Sequence, residues 1–279
     1  MDNGFQKSWI LILITMCLLF AFGFLGFIPF FAEHEYFLTA LGEVSFLLPV
    51  FLGLGALKNK NVEKSLRKGF APSLVPILFL IPFCMQTFVV TITLPLHSLL
   101  YRLFGDMPDN VGNAVSAAEF FLQILTVCIL PAVIEELLCR GVIMEMLKPY
   151  GIVVSMLVSA FAFAILHFSA YSVPVIFMMG ILLAAVKLLT GSLWACIFVH
   201  FSNNFISLIA NLIPENSGWL SEVIAAAAFL LFPILLMRLL KKTRAAQITD
   251  TKCKKVTFSP VMCVCLGIFA ATIIYETII

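Results

Sequence analysis

The chain has 279 residues, of which 62% are hydrophobic and 11% charged, with a net charge of +2. Ordinary globular proteins carry about 25% charged residues, so this composition excludes a soluble domain. The small net charge also gives no footprint for nucleic acid, and the basic residues are better read as markers of membrane topology.

Residues 69–101, 151–186 and 188–214 contain no Asp, Glu, Lys or Arg, and each stretch is long enough to cross a hydrocarbon layer of about 30 Å. Apolar windows predict spans at 9–31, 36–57, 74–96, 115–147, 151–168, 173–189, 193–213, 221–240 and 256–279. The fold class expected is all-α, a polytopic transmembrane bundle of about nine spans, or eight if the last tract lies along the surface. The first tract is too long for a signal-peptide core and is expected to stay as a span. With the N-terminus cytoplasmic, all of the 17 basic residues except Arg102 fall inside. The positive-inside rule therefore predicts an integral protein, in a setting such as a bacterial cytoplasmic membrane, with an internal N-terminus and an external C-terminus.

The eight cysteines, most of them within apolar runs, include no CxxC pair and read as small core residues. Three regions divide the chain: 1–114 without a recognisable motif, 115–214 with the candidate chemistry, and 215–279 again without a motif.

The fourth tract is over-long and contains Pro131-Ala-Val-Ile-Glu135-Glu136-Leu-Leu-Cys-Arg140-Gly141. Ionisable groups within spans are costly and mark function by default. On a helix Glu136 and Arg140 form an i, i+4 pair in the favourable acid-first order, whereas Glu135 points about 100° away and keeps no such partner. That leaves Glu135 as the candidate general base. Pro131 offers no amide hydrogen to the carbonyl of Val127, so a bend is expected one turn before the acids. A bland reading, a structural Glu-Arg bridge beside a snorkelling acid, also fits this run alone.

His167 follows on the next tract. If the chain reverses at 148–151, Glu135 and His167 both lie roughly 20 to 24 Å from the turn and come level. His200 and Asn204 share one helix face at i, i+4 and present an imidazole and a carboxamide to one small volume, a suitable pair of neutral donors for an oxyanion. Interhelical hydrogen bonding is the plainer use of that pair.

This ordered set, Glu135-Glu136 with Arg140, Phe163 with His167, and His200 with Asn204, resembles the CPBP or Abi membrane proteases, which include the type II CAAX prenyl endopeptidases and bacterial relatives linked to bacteriocin processing and self-immunity. The resemblance covers about 131–204. It implies an intramembrane endopeptidase in which Glu135 and His167 activate water, His200 and Asn204 hold the oxyanion, and Glu136, Arg140 and Phe163 support them. It implies no metal and no other cofactor. The partners implied are membrane lipid and a membrane-associated peptide or lipidated protein, either a prenylated CAAX protein or a peptide or bacteriocin precursor. The site is expected to open to the cytoplasm through the inner ends of the fourth to seventh spans.

Competing readings remain open at this level. Glu135, His167 and His200 could serve as three ligands of a catalytic zinc. Glu and His chains also act as proton relays in transporters, although no paired second half appears in the sequence. A non-catalytic immunity or scaffold protein is the last. There is no HExxH and no GxSxG.

Overall fold

Reversal of the chain at 148–151 sets the centre of the bundle. Pro149 ends the preceding helix, and Gly151 supplies a φ of 104° that side chains rarely adopt. A computed structural model describes residues 4–33, 35–57, 60–104, 116–210, 219–243, 254–256 and 259–278. Its α-helices are α1 Gly4–Gly23, α2 Pro29–Glu33, α3 Glu35–Val44, α4 Leu47–Leu57, α5 Lys60–Arg67, α6 Val75–Phe104, α7 Ala117–Gln123, α8 Leu130–Glu136, α9 Met144–Leu147, α10 Ile152–Ile165, α11 Val173–Thr190, α12 Leu193–Ala210, α13 Trp219–Thr243 and α14 Pro260–Ile278.

Among the described residues seven helical tracts are long and apolar enough to cross a membrane: Gly4–Phe27, Phe37–Leu57, Pro72–Leu96, Ala117–Tyr150, Val173–Thr190, Leu193–Ala210 and Glu222–Thr243. The expected fifth and ninth spans are shorter apolar helices, Ile152–Ile165 and Pro260–Ile274. α10 has 14 residues, about 21 Å at 1.5 Å per residue, and α14 has 19, about 28 Å, slightly longer than α11 and α12 with 18 each. Among the described residues the count is thus seven full-length tracts and two shorter apolar helices, in line with an expected bundle of about nine. The all-α class stands.

α7, α8 and α9 are parts of one continuous helix widened by two π turns, Ile124–Ile129 and Leu137–Ile143. In the first, the Leu130 amide donates to the Leu125 carbonyl, and in the second the Met144 amide donates to Cys139, both five residues back. The bend expected at Pro131 takes this form: the proline cannot bond its own i−4 carbonyl, and a widened turn absorbs the mismatch. Glu119 sits in a capping box with Ser116, its carboxylate accepting from the Ser116 amide at 3.0 Å, which starts α7.

The motif helix lies between two apolar cores. On one side Cys139 packs with Leu78 and Met85 of α6, Leu183 of α11, Val199 of α12 and Leu235 of α13. On the other, Leu138, Ile143 and Leu147 pack with Trp9, Ile12 and Met16 of α1, Val50 of α4, Ile165 of α10 and Cys265 of α14. Outer faces expose Phe51, Phe121, Leu230 and similar side chains, as lipid contact requires.

The Ser192 hydroxyl donates to the Lys68 carbonyl at 2.5 Å, the Trp194 indole to Leu66 at 2.8 Å, the Lys242 ammonium to Ser73 at 2.8 Å, and the Lys254 amide to Pro149 at 2.8 Å. These bonds tie the basic segments to the ends of the helices beside them.

α10 and α11 pack so closely that a Cβ on Gly180 would lie 2.8 Å from both the Cα and the Cβ of Ala160. Backbone cannot yield there as a flexible side chain would. Gly180→Ala is expected to destabilise the protein by about 1–3 kcal/mol through overpacking, read as a lower midpoint in thermal unfolding in detergent. An unchanged midpoint would show that the two helices separate freely.

Candidate active site

The Glu136–Arg140 pair forms as the spacing predicts, with Nη1 donating to Oε1 at 2.8 Å and both side chains fully buried. Arg140 does more than pair. Its Nη2 donates to the Gly180 carbonyl on α11 at 2.9 Å, and its guanidinium lies 4.5 Å above the centre of the Phe163 ring on α10. The same Oε1 of Glu136 also accepts from His200 Nδ1 at 3.1 Å. One carboxylate oxygen therefore joins the motif helix to α12, while the arginine joins it to α10 and α11.

Nδ1–H of His200 is spent on Glu136, so its Nε2 faces the next acid. Glu135 Oε2 lies 3.8 Å from that nitrogen. A neutral ring in this tautomer has only a lone pair at Nε2, and it donates there only when it carries both protons. The expectation of His200 as a neutral donor changes accordingly.

His167 is oriented by the end of α10. Its backbone amide bonds back to Ala164, and Phe168 follows with a left-handed φ of 50°. The last carbonyls of a helix lack amide partners, and the Phe163 carbonyl takes Nδ1–H of His167 at 2.8 Å. A carbonyl only accepts, so the proton is on Nδ1 and a neutral ring keeps a lone pair at Nε2. Phe163 thus supplies a carbonyl to His167, a face to Arg140, and ring-edge contacts to His167 and His200 with centroids 5.0 and 5.5 Å away.

Asn204 donates from Nδ2 to the Val127 carbonyl at 2.9 Å, the carbonyl that Pro131 cannot satisfy. Asn203 donates to Asn204 Oδ1 at 3.1 Å, which fixes the amide orientation. The second hydrogen on Nδ2 is left over from this arrangement.

Glu135, His167, His200 and Asn204 all line one cavity of about 760 Å³. Gln86, Val90, His167, His200 and Asn204 form a wall shared with a second cavity of about 410 Å³. The expected opening through the inner helix ends is not what the lining shows. Thr39 near the start of α3, Thr91 well along α6, Ala210 at the end of α12 and Ala225 early in α13 carry the larger cavity toward the helix ends remote from Lys68, Lys148 and Lys242. Helix direction was readable from the sequence, but which ends splay apart depends on packing.

One residue of the site was missed. Glu43 on α3 lines the same cavity as Glu135. It is the only Asp, Glu, Lys, Arg or His between 36 and 57, and that isolation was its visible signal. For metal binding, no cluster of three or more His, Cys, Asp or Glu side chains with suitable geometry occurs among the described residues.

Residues 117–206 match the family described as type II CAAX prenyl endopeptidase Rce1-like. The chain carries a domain of this family. The matched segment runs from α7 into α12 and holds Glu135, Glu136, Arg140, Phe163, His167, His200 and Asn204. No curated protein and no solved structure matches the chain. The family and the apolar helices together support an intramembrane protease as the general activity of this CAAX protease relative.

Removing the charge of Glu136 leaves Arg140 buried without its counter-ion, and breaking such a pair typically costs about 3–5 kcal/mol. Glu136→Gln is therefore expected to lower resistance to unfolding by SDS in mixed micelles by an amount of that order. Arg140→Lys should also weaken it, since an ammonium cannot keep the fork to Glu136, the bond to Gly180 and the stacking on Phe163 at once. Wild-type unfolding curves for both variants would show that the pair is not an anchor.

Proposed function

We propose that the chain is an endopeptidase that cleaves a membrane-associated peptide or lipidated protein with a water activated by Glu135 and His167. The observation that carries this reading is a pair of acceptors on one cavity: Oε2 of Glu135, which has no hydrogen-bond partner, and Nε2 of His167, whose tautomer is set by the Phe163 carbonyl. Water donating one hydrogen to each presents its oxygen lone pair to a peptide carbonyl. Attack forms the new C–O bond and moves the carbonyl π electrons to oxygen, and Glu135 takes a water proton. On collapse the C–N bond breaks and Glu135 returns that proton to the departing amine.

The developing oxyanion is stabilised by His200 through Nε2–H when the ring is doubly protonated, and by the spare Nδ2–H of Asn204. Glu136 and Arg140 hold His200 in place. No step in this scheme requires a metal, and Glu136 is already shared by Arg140 and His200. We take the N-terminus as cytoplasmic from the distribution of basic residues, which directs the larger cavity away from the cytoplasm.

Glu135→Gln keeps the shape and removes the base. Purified in detergent, this variant is expected to fold like the wild type and to lose essentially all cleavage of a fluorogenic lipidated peptide, and full activity would sink the assignment. Chelator-stripped wild type is expected to keep its activity. Loss of turnover on stripping, restored by zinc and not by magnesium, would replace the glutamate mechanism with the zinc alternative.

A further inference from the structure

Two carboxylates share the larger cavity. Glu135 is 6% exposed, and its Oε2 has no partner. Glu43 Oε2 is likewise buried without one, and the two acids interact electrostatically. Among the described residues no Lys or Arg lines either cavity, and the nearby Arg140 is committed to Glu136, Gly180 and Phe163. A cation offered to an unpartnered carboxyl group in a poorly screened cleft is attracted far more strongly than at a surface in water.

Glu43 is brought there by a break in its own span. α3 stops at Val44, the Ser45 hydroxyl turns back to the Gly42 carbonyl at 2.6 Å, and α4 resumes at Leu47. Pro49 contributes to the break, having no amide hydrogen for the Ser45 carbonyl. Gln86, Thr87 and Thr91 of α6 add neutral oxygens to the same cavity. The adjoining cavity is lined by Met85, Leu94, Val175, Ile176 and Met179 together with Tyr171, Ser172 and Asn203, and no acid is among its described lining residues. His167, His200 and Asn204 stand on the wall between the two.

We propose that Glu43 makes the larger cavity a cation subsite, so that the preferred substrate carries a Lys or Arg side chain on one side of the scissile bond and an apolar or lipid group on the other. This rests on the peptidase reading, because the position of the scissile bond follows from the catalytic wall. An ammonium or guanidinium entering the larger cavity meets Glu43 and the oxygens of Gln86, Thr87 and Thr91. A substrate carboxylate there meets two acids and no cation. Glu43 lies outside residues 117–206, the segment matched to the family, so it bears on what this chain accepts and not on the hydrolytic step.

The test uses full-length protein in nanodiscs and a farnesylated, internally quenched peptide whose cut site is mapped by mass spectrometry. Lys, norleucine and Glu are placed in turn at each position flanking the cut. At one position the wild type is expected to favour Lys over norleucine by about tenfold in kcat/KM, mostly through KM, and to disfavour Glu. Glu43→Gln should bring the Lys to norleucine ratio close to one, while Glu43→Asp, which keeps the charge, retains a preference. A wild type indifferent to all three side chains, or a preference that survives Glu43→Gln, overturns the subsite.

Ketomethylene analogues of the same peptides, whose scissile nitrogen is replaced by carbon, give a binding readout without turnover. Tighter binding of the Lys analogue that depends on Glu43, with no cleavage of any amide peptide, would overturn the peptidase reading and keep the subsite. Equal binding of the three analogues would overturn the subsite even if turnover is normal.

Discussion

A single oxygen, Oε1 of Glu136, accepts hydrogen bonds from Arg140 and His200 in a region from which water is excluded. Charges buried in this way persist only where the pairing is close and the remaining donors find acceptors. Arg140 meets most of that condition by reaching Gly180 and Phe163, with only Nε left without an acceptor, so the pairing of one guanidinium draws the motif helix, α10, α11 and α12 to a common point. His200 takes its orientation from the same oxygen, and through His200 so does the space in front of Glu135. The apolar cores on either side of the motif helix hold this arrangement by packing, but they do not by themselves choose its register.

Irregular backbone serves the site in two places. At Pro131 the helix loses the bond that would have occupied the Val127 carbonyl, and Asn204 takes that acceptor. At the end of α10 the Phe163 carbonyl has no amide to receive, and His167 caps it. Within a membrane an unpaired carbonyl is expensive, so each defect strongly selects a nearby donor. The side chains of Asn204 and His167 are thereby oriented by the repair of helix breaks. The π turns around α8 belong to the same economy, since each adds a residue to the turn while keeping its amides bonded.

Family and physical readings meet over the same residues. The matched segment, 117–206, contains every side chain joined by Glu136, Arg140 and the two helix breaks. Glu43 stands outside it, on a broken span with no counterpart in the motif, and lines the same cavity. The proposed chemistry and the proposed selectivity in this way draw on different parts of the chain.

The membrane class, the reversal at 148–151, the Glu136–Arg140 pair and the consequence of Pro131 were all legible in the sequence. Hydropathy, i, i+4 spacing and the missing proline amide act over a few residues, so local order suffices to state them. Tertiary structure decided what joined distant positions. The bond from His200 to Glu136 spans 64 residues and that from Asn204 to Val127 spans 77. Glu43 could be noticed as a lone acid in an apolar run, but only the break at Ser45 and the packing of α3 against the motif helix turn it toward Glu135. The same holds for the short α10 and for the helix ends that the larger cavity reaches. Which helices touch and which ends separate is set by the simultaneous packing of all of them, a sum over side chains that no local pattern contains.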